Sequence, residues 1–295
     1  MRALIGIIFI ILMLLISAVV ALATSDRSLR ILQGGHERHE RHESHEGLEG
    51  FEGHEKFARY RKLPENIIRA SHSIPESIDY GLLEIAPGNV TIYSSTMPWH
   101  IKSLQSALHR EFPTAPSTIV DATAHIGADT VNFMRTFPSA AITSIEIDPA
   151  IAEITRRNVT REYRRMKATA PAPRVVCADA ADYIRELVDG NSPDLLYLDP
   201  PWGNNLRHAL MVGSLTAPEA IARALAAGTR AVAIRLPHDS DLDAFESATA
   251  DCAKKLNLMG VKATRSAICD ARRAHNSSCP THKTGLGLWL LVFRK

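Results

Sequence analysis

The chain has 295 residues, 45% hydrophobic and 22% charged, the composition of a packed globular protein in which disorder is local. Its formal charge of +2 is too small to argue for nucleic-acid binding, so the clustering of Lys and Arg has to carry that question. Four cysteines, Cys177, Cys252, Cys269 and Cys279, show no CxxC spacing, which argues against a zinc ribbon or a dense disulfide framework. Cys177, in the apolar run from Val175, reads as a small buried hydrophobe.

From Ala3 to Ala23 the chain runs 21 residues without a charge, about the length of a bilayer-spanning helix. Residues 1–24 are therefore expected to form a retained transmembrane anchor, against the rival reading of a signal peptide cleaved near Ala21-Leu22-Ala23. Arg2 precedes the span and Arg27, Arg30, Arg38 and Arg41 follow it, which predicts a single-pass membrane protein with a cytoplasmic catalytic domain. That topology leaves the sequons at Asn89, Asn158 and Asn276 unglycosylated. Residues 25–56 read as a tether: from His36 to Lys56 seven triplets place Glu at every third position, a period that no helix or strand can bury. His36, His39, His42 and His45 are metal-ligating types, but no cage fixes their geometry and no metal site is assigned.

Residues 57–116 form an accessory segment, with a helix expected around Glu65 to Ala70, a short apolar piece Val90 to Tyr93, and a helix near Ile101 to Phe112. From Ser117 to the end at 295, apolar runs alternate with helical stretches, the signature of a mostly parallel sheet covered on both faces. Seven strands are predicted: Ser117 to Asp121, Ala141 to Ile147, Arg174 to Cys177, Asp194 to Leu198, Arg230 to Arg235, Val261 to Ile268 and Gly287 to Phe293. Helices are expected near Ala128 to Phe137, Pro149 to Met166, Ala180 to Val188, Ala217 to Ala227 and Asp241 to Leu256. Thr216 is a plausible N-cap with Pro218 in the first turn and Gly228 past the end. The last two strands, joined by the loop Asp270 to Thr284, read as an antiparallel hairpin at the sheet edge. The fold class expected is α/β, a Rossmann-like class I AdoMet methyltransferase with a seven-stranded mostly parallel sheet.

In such a sheet ligands bind beyond the carboxyl ends of the strands. Four successive ends are acidic: Asp121, then Glu146 with Asp148, then Asp179, then Asp199. One Asp after a strand is usually a turn former or helix cap, whereas four in succession suit a nucleoside cofactor with a cationic amino acid tail. Glu146 would accept both ribose hydroxyls and Asp179 the adenine amino group, with Asp148 and Ala180 beside them. Asp121 and the backbone from Thr123 through Ala124 to Gly127 would face the methionine end, Gly127 letting the backbone approach without a Cβ. The loop lacks GxGxxG, which counts against a nicotinamide enzyme.

Asp199-Pro200-Pro201-Trp202 is the most specific signal. Two prolines remove two N–H donors and leave carbonyls free as acceptors. An exocyclic amine would donate to the Asp199 carboxylate and the Pro200 carbonyl, orienting its lone pair, and Trp202 would stack on the target base. The run Asp121 to Phe133, then Ile145 to Pro149 with Asn158 downstream, then Asp199 to Gly203, resembles the RNA cap guanine-N2 methyltransferases, the trimethylguanosine synthase family. The resemblance covers residues 117 to 205 and implies that Trp202 stacks on the cap guanine while the Pro-Pro-Trp segment faces its amino group. It also implies S-adenosyl-L-methionine as cofactor and capped RNA or another nucleic acid as partner. The sequence departs from the family's glycines at His125, Ala128 and Asn204. Asp199 stands where Ser is usual in that family and matches the adenine-N6 enzymes instead. Adenine-N6 methylation, or a catalytically inactive AdoMet-fold module that binds RNA, are the alternatives. Arg156, Arg157, Arg161, Arg164, Arg165 and Lys167 lie within twelve positions of one predicted helix; with Glu153 and Glu162 among them, a solvated face is expected over a phosphate-binding one.

Overall fold

The apolar runs of the C-terminal part fold, as their spacing predicts, into one sheet sandwiched between helices. The computed structural model describes residues 61–62, 65–73, 78–85, 96–167, 170–202, 210–268 and 288–295. The expected anchor at 1–24, the tether at 25–56, the piece Val90 to Tyr93 and the loop Asp270 to Thr284 lie outside them. Among the described residues no helix is long and apolar enough to cross a membrane.

The chain first pairs β1 (Arg61–Lys62) antiparallel with β2 (Glu84–Ile85), around helix α1 (Glu65–Ser73), and then forms α2 (Pro98–Glu111). Helix α2 begins earlier than the apolar pattern shows because Pro98 suits a first turn. The sheet strands are β3 (Thr118–Asp121), β4 (Ala141–Glu146), β5 (Arg174–Cys177) and β6 (Leu195–Leu198). A small hairpin of β7 (Met211–Val212) and β8 (Leu215–Thr216) follows, then β9 (Ala231–Pro237), β10 (Lys262–Ile268) and β11 (Leu288–Arg294). The sheet order is β5-β4-β3-β6-β9-β11-β10. The first five strands are parallel; β11 runs antiparallel to β9 on one side and to β10 on the other. The crossover helices are α3 (Ala128–Thr136), α4 (Pro149–Met166), α5 (Ala180–Glu186), α6 (Ala217–Ala226) and α7 (Leu242–Lys255).

Central strands buried on both faces have to be apolar throughout, and the period of two divides their side chains between two cores. Ile119, Leu195, Tyr197, Ala231 and Ala233 point to the core shared with α1 to α4; Val120, Leu196, Leu198, Val232 and Ile234 point to the core shared with α5 to α7. Ile67, Ile101, Leu104 and Leu108 of the 57–116 segment belong to the first core. Asn158 of α4, 1% exposed, clips that segment down: it accepts from the Glu84 N–H at 2.8 Å and donates to the carbonyls of Glu84 and Ile126 at 3.0 and 2.9 Å. Helix α6 carries a complete capping box between Thr216 and Glu219, worth about 1 kcal/mol at such a start. The β7–β8 hairpin has no counterpart in the sequence reading, since strands of two residues leave no periodic trace.

Candidate active site

The carboxyl ends of β3, β4, β5, β6 and β9 open into one cavity of about 840 Å³, within the range of small-molecule and cofactor sites. Of the residues singled out by sequence, it brings together Thr123, Glu146, Asp179, Ala180, Asp199, Pro200, Pro201 and Trp202. Met211, Val212 and Gly213 from the unforeseen hairpin form part of its wall, with Ile147, which is 62% exposed.

At one end Glu146 closes β4. Its carboxylate takes the N–H of His125 at 2.9 Å and of Asp148 at 3.0 Å, and burial pushes it above the usual carboxylate range. Asp179 caps α5 by accepting from Ala181 N–H at 2.8 Å. The tip of the hairpin presses on it: a Cβ at Gly213 would lie 1.9 Å from Asp179 Oδ1, so only glycine fits there. Arg185 holds the hairpin with a 2.6 Å bond to Ser214. His125 adopts a left-handed φ of 48°, which explains why a glycine suits this position in the resembling family. His125 is among the residues lining the cavity, and burial pulls its imidazole down to about 4, so it is neutral at physiological pH.

Asp121, Ala124, Gly127 and Asp148 do not line the cavity. Gly127 is needed for packing and not for ligand approach, because a Cβ there would meet Val159 at 2.9 Å and Thr155 at 3.1 Å on α4. Ala124 is spent in the turn, donating to the Ile145 carbonyl at 2.9 Å and accepting from Gly127. Asp148 is the N-cap of α4, bonded to the N–H groups of Ala150 and Ile151. Asp121 is 0% exposed: Thr130 donates to its Oδ2 at 2.7 Å, while Oδ1 has no well-formed hydrogen bond among the described residues. Burial, with Asp129 beside it, pushes Asp121 up to about 8, so at neutral pH it is a neutral acid and not the carboxylate expected from sequence.

At the other end the carboxylate of Asp199 is occupied by a residue the sequence reading passed over as part of a strand. Arg235 of β9, 3% exposed, donates through Nε to Asp199 Oδ1 at 3.0 Å and through Nη2 to Oδ2. Its Nη1 reaches Thr96 Oγ1, and Asp129 Oδ2 at 3.4 Å; Thr96 in turn donates to Asp129. Burial and Asp129 raise Asp199 against the pull of Arg235, leaving it at about 7. Thr123 Oγ1 accepts from the Asp199 N–H at 2.7 Å and ties the floor loop to this end. Trp202 lies over the Arg235 guanidinium at 5.6 Å from the ring centroid, and its indole N–H is buried without a hydrogen-bond partner among the described residues.

One further expectation changes and one holds. Cys177 is exposed at the end of the outer strand β5, where burial of the sulfur and the nearby Glu146 push its thiol up, the reverse of an activated nucleophile. On α4, Arg157 and Arg161 pair with Glu84, Arg156 with Glu153, and Arg165 with Glu162, so most of the basic helix is engaged within the protein, in line with a solvated face.

The strand order, with one antiparallel strand inserted next to the last, decides the architecture. The fold is that of the class I AdoMet-dependent methyltransferases. No family model matches the chain. It is 28% identical over 133 residues to the ribosomal RNA small subunit methyltransferase J of Thioalkalivibrio sulfidiphilus, an alignment that takes in 41% of this chain and 51% of that protein. The chain thus spans about half the length of the relative it matches. Solved structures that resemble it include an O-methyltransferase of Bacillus cereus in complex with SAH (TM-score 0.44, 14% identity, 68% of this chain and 83% of that one). Another is the precorrin-6y C5,15-methyltransferase of Geobacter metallireducens (TM-score 0.41, 12% identity, 65% of this chain and 86% of that one). A third is TrmN of Thermus thermophilus (TM-score 0.42, 16% identity, 65% of this chain and 48% of that one). What these likenesses share is the methyltransferase class.

Proposed function

We propose that the chain methylates an exocyclic amino nitrogen of a nucleobase in RNA, with S-adenosyl-L-methionine as methyl donor and guanine N2 as the favoured target. The observation that carries this reading is that one cavity joins an end suited to a nucleoside, Glu146 and Asp179, to the Asp199-Pro200-Pro201-Trp202 segment. The residues present fit the cofactor: acidic acceptors for ribose and adenine, Glu146 and Asp179, at one end, and apolar walls from Ile147 and Met211. The cofactor would be held by Glu146, Asp179, Ala180 and Thr123 and would supply an already activated methyl group.

What remains for the protein is alignment. The Pro200 carbonyl and the lone pairs of Asp199 not taken by Arg235 accept the two amine hydrogens, since a carboxylate has about four acceptor sites. Asp199, held near neutrality, then takes the proton that the amine releases. The RNA assignment is supported by the likeness to a ribosomal RNA enzyme. Radiolabel transfer from AdoMet to a ribosomal RNA fragment, a cap analogue and an adenine-only oligonucleotide tests the reading. Label at guanine N2 is expected; label on the adenine substrate alone would replace it with the N6 reading, and no AdoMet binding by calorimetry would sink both. Residues 3–23 are proposed to hold the chain at a membrane with the catalytic part cytoplasmic, a reading that loses its basis if the full chain leaves membranes on alkaline carbonate extraction.

A further inference from the structure

A fully buried arginine in a central strand needs a reason, because removing a guanidinium from water is costly and an apolar side chain of similar volume often serves stability as well. The register supplies the placement. Leu198 of β6 is level with Ile234 of β9, so Arg235 stands beside Asp199, and the period of two turns it to the same face as Ala231 and Ala233, toward Tyr197 and Asp129. Two N–H groups go to Asp199, and Nη1 is shared by Thr96 and Asp129, so the guanidinium has a fixed plane. Its Cζ lies over the Trp202 ring, 5.6 Å from the centroid. Thr96 comes from the 57–116 segment, where Tyr80 donates to its carbonyl.

We propose that Arg235 is the positioning residue of the reaction end, fixing Asp199 through two N–H groups and Trp202 through the contact of its cation with the ring, and that Thr96 locks it in that pose. The inference deepens the proposed function: it assigns what sets the acceptor for the amine and the platform for the base in register with each other. One interaction links both, so a displaced Arg235 disturbs the carboxylate and the indole together. The 57–116 segment thereby enters the reaction end and does more than cover the sheet.

The test uses the full chain labelled with 5-fluorotryptophan, the Trp202 resonance being assigned with Trp202→Phe. Arg235→Lys keeps the charge but loses the planar fork, and Thr96→Val keeps the shape but loses one hydroxyl. Arg235→Lys is expected to lower kcat roughly a hundredfold, the scale of a 1 Å misplacement, and Thr96→Val about tenfold, with AdoMet affinity unchanged and the Trp202 resonance moved in both. A purely structural role would lower Tm while leaving kcat and the Trp202 resonance in place, and that result overturns the proposal. If Arg235→Lys does not fold, Thr96→Val decides alone by the same two readouts. If the wild-type chain transfers no methyl group, the functional reading fails, while the fluorine spectrum, recorded without cofactor, still decides whether Arg235 and Thr96 hold Trp202.

Discussion

The two ends of the cavity are built in different ways. At the nucleoside end each acid is set by its own neighbourhood: Glu146 by amides of the adjoining turns, Asp179 by the helix it caps. At the reaction end, Asp199 just past β6, Arg235 of β9, Asp129 of α3 and Thr96 of the 57–116 segment come from four places in the chain, and their charged and hydroxyl groups are tied mainly to one another. The first kind of site tolerates change piecemeal; the second holds or fails as a unit, since removing one partner strands a buried charge on another.

The largest way to break that contrast is Asp199→Asn, which keeps the shape and removes the proton acceptor. It should lower kcat roughly 10²- to 10⁴-fold and abolish the acid limb expected in the wild-type kcat/KM near pH 7, where activity should rise as Asp199 ionises. Trp202→Ala should come next, weakening RNA binding by about 1–3 kcal/mol, seen as a raised KM for RNA with AdoMet affinity intact. An unchanged KM would end the stacking role. Glu146→Gln should act on the other end alone: about tenfold weaker AdoMet binding by calorimetry and a near-normal kcat at saturation. The last effect is on stability and not on catalysis. Asp121 is raised in the folded chain from 3.8 to about 8, so its contribution is fully present below 3.8 and is lost as pH rises toward 8. Denaturant unfolding should find Asp121→Asn less sensitive than wild type between pH 5 and pH 8.

The same contrast explains what was legible in the sequence. Strand positions followed from short apolar runs between helical stretches, and α4 was placed end to end because Asp148-Pro149 marks its start. Glu146 and Asp179 could be read because a local rule, acid at a strand end, selects them. Asp148 satisfies the same rule and caps α4, and Gly127, expected to let the backbone approach a ligand, packs against α4, a distinction that only that neighbouring helix makes. Arg235 was hidden because its meaning depends on Asp199, 36 residues away, and on Thr96, 139 residues away. A charged residue inside the apolar run Ala231 to Pro237 was the available signal: a buried strand accepts an arginine only where carboxylates wait for it.

The Asn158 clip gives the choice of compartment a cost in foldability. Asn158 opens an Asn-Val-Thr acceptor sequence, and in the finished protein its amide is enclosed between Glu84 and Ile126. A glycan attached during translocation would occupy that amide before the 57–116 segment could close over it. Any cell that passed this domain through a glycosylating lumen would thus be making a chain unable to complete its own fold.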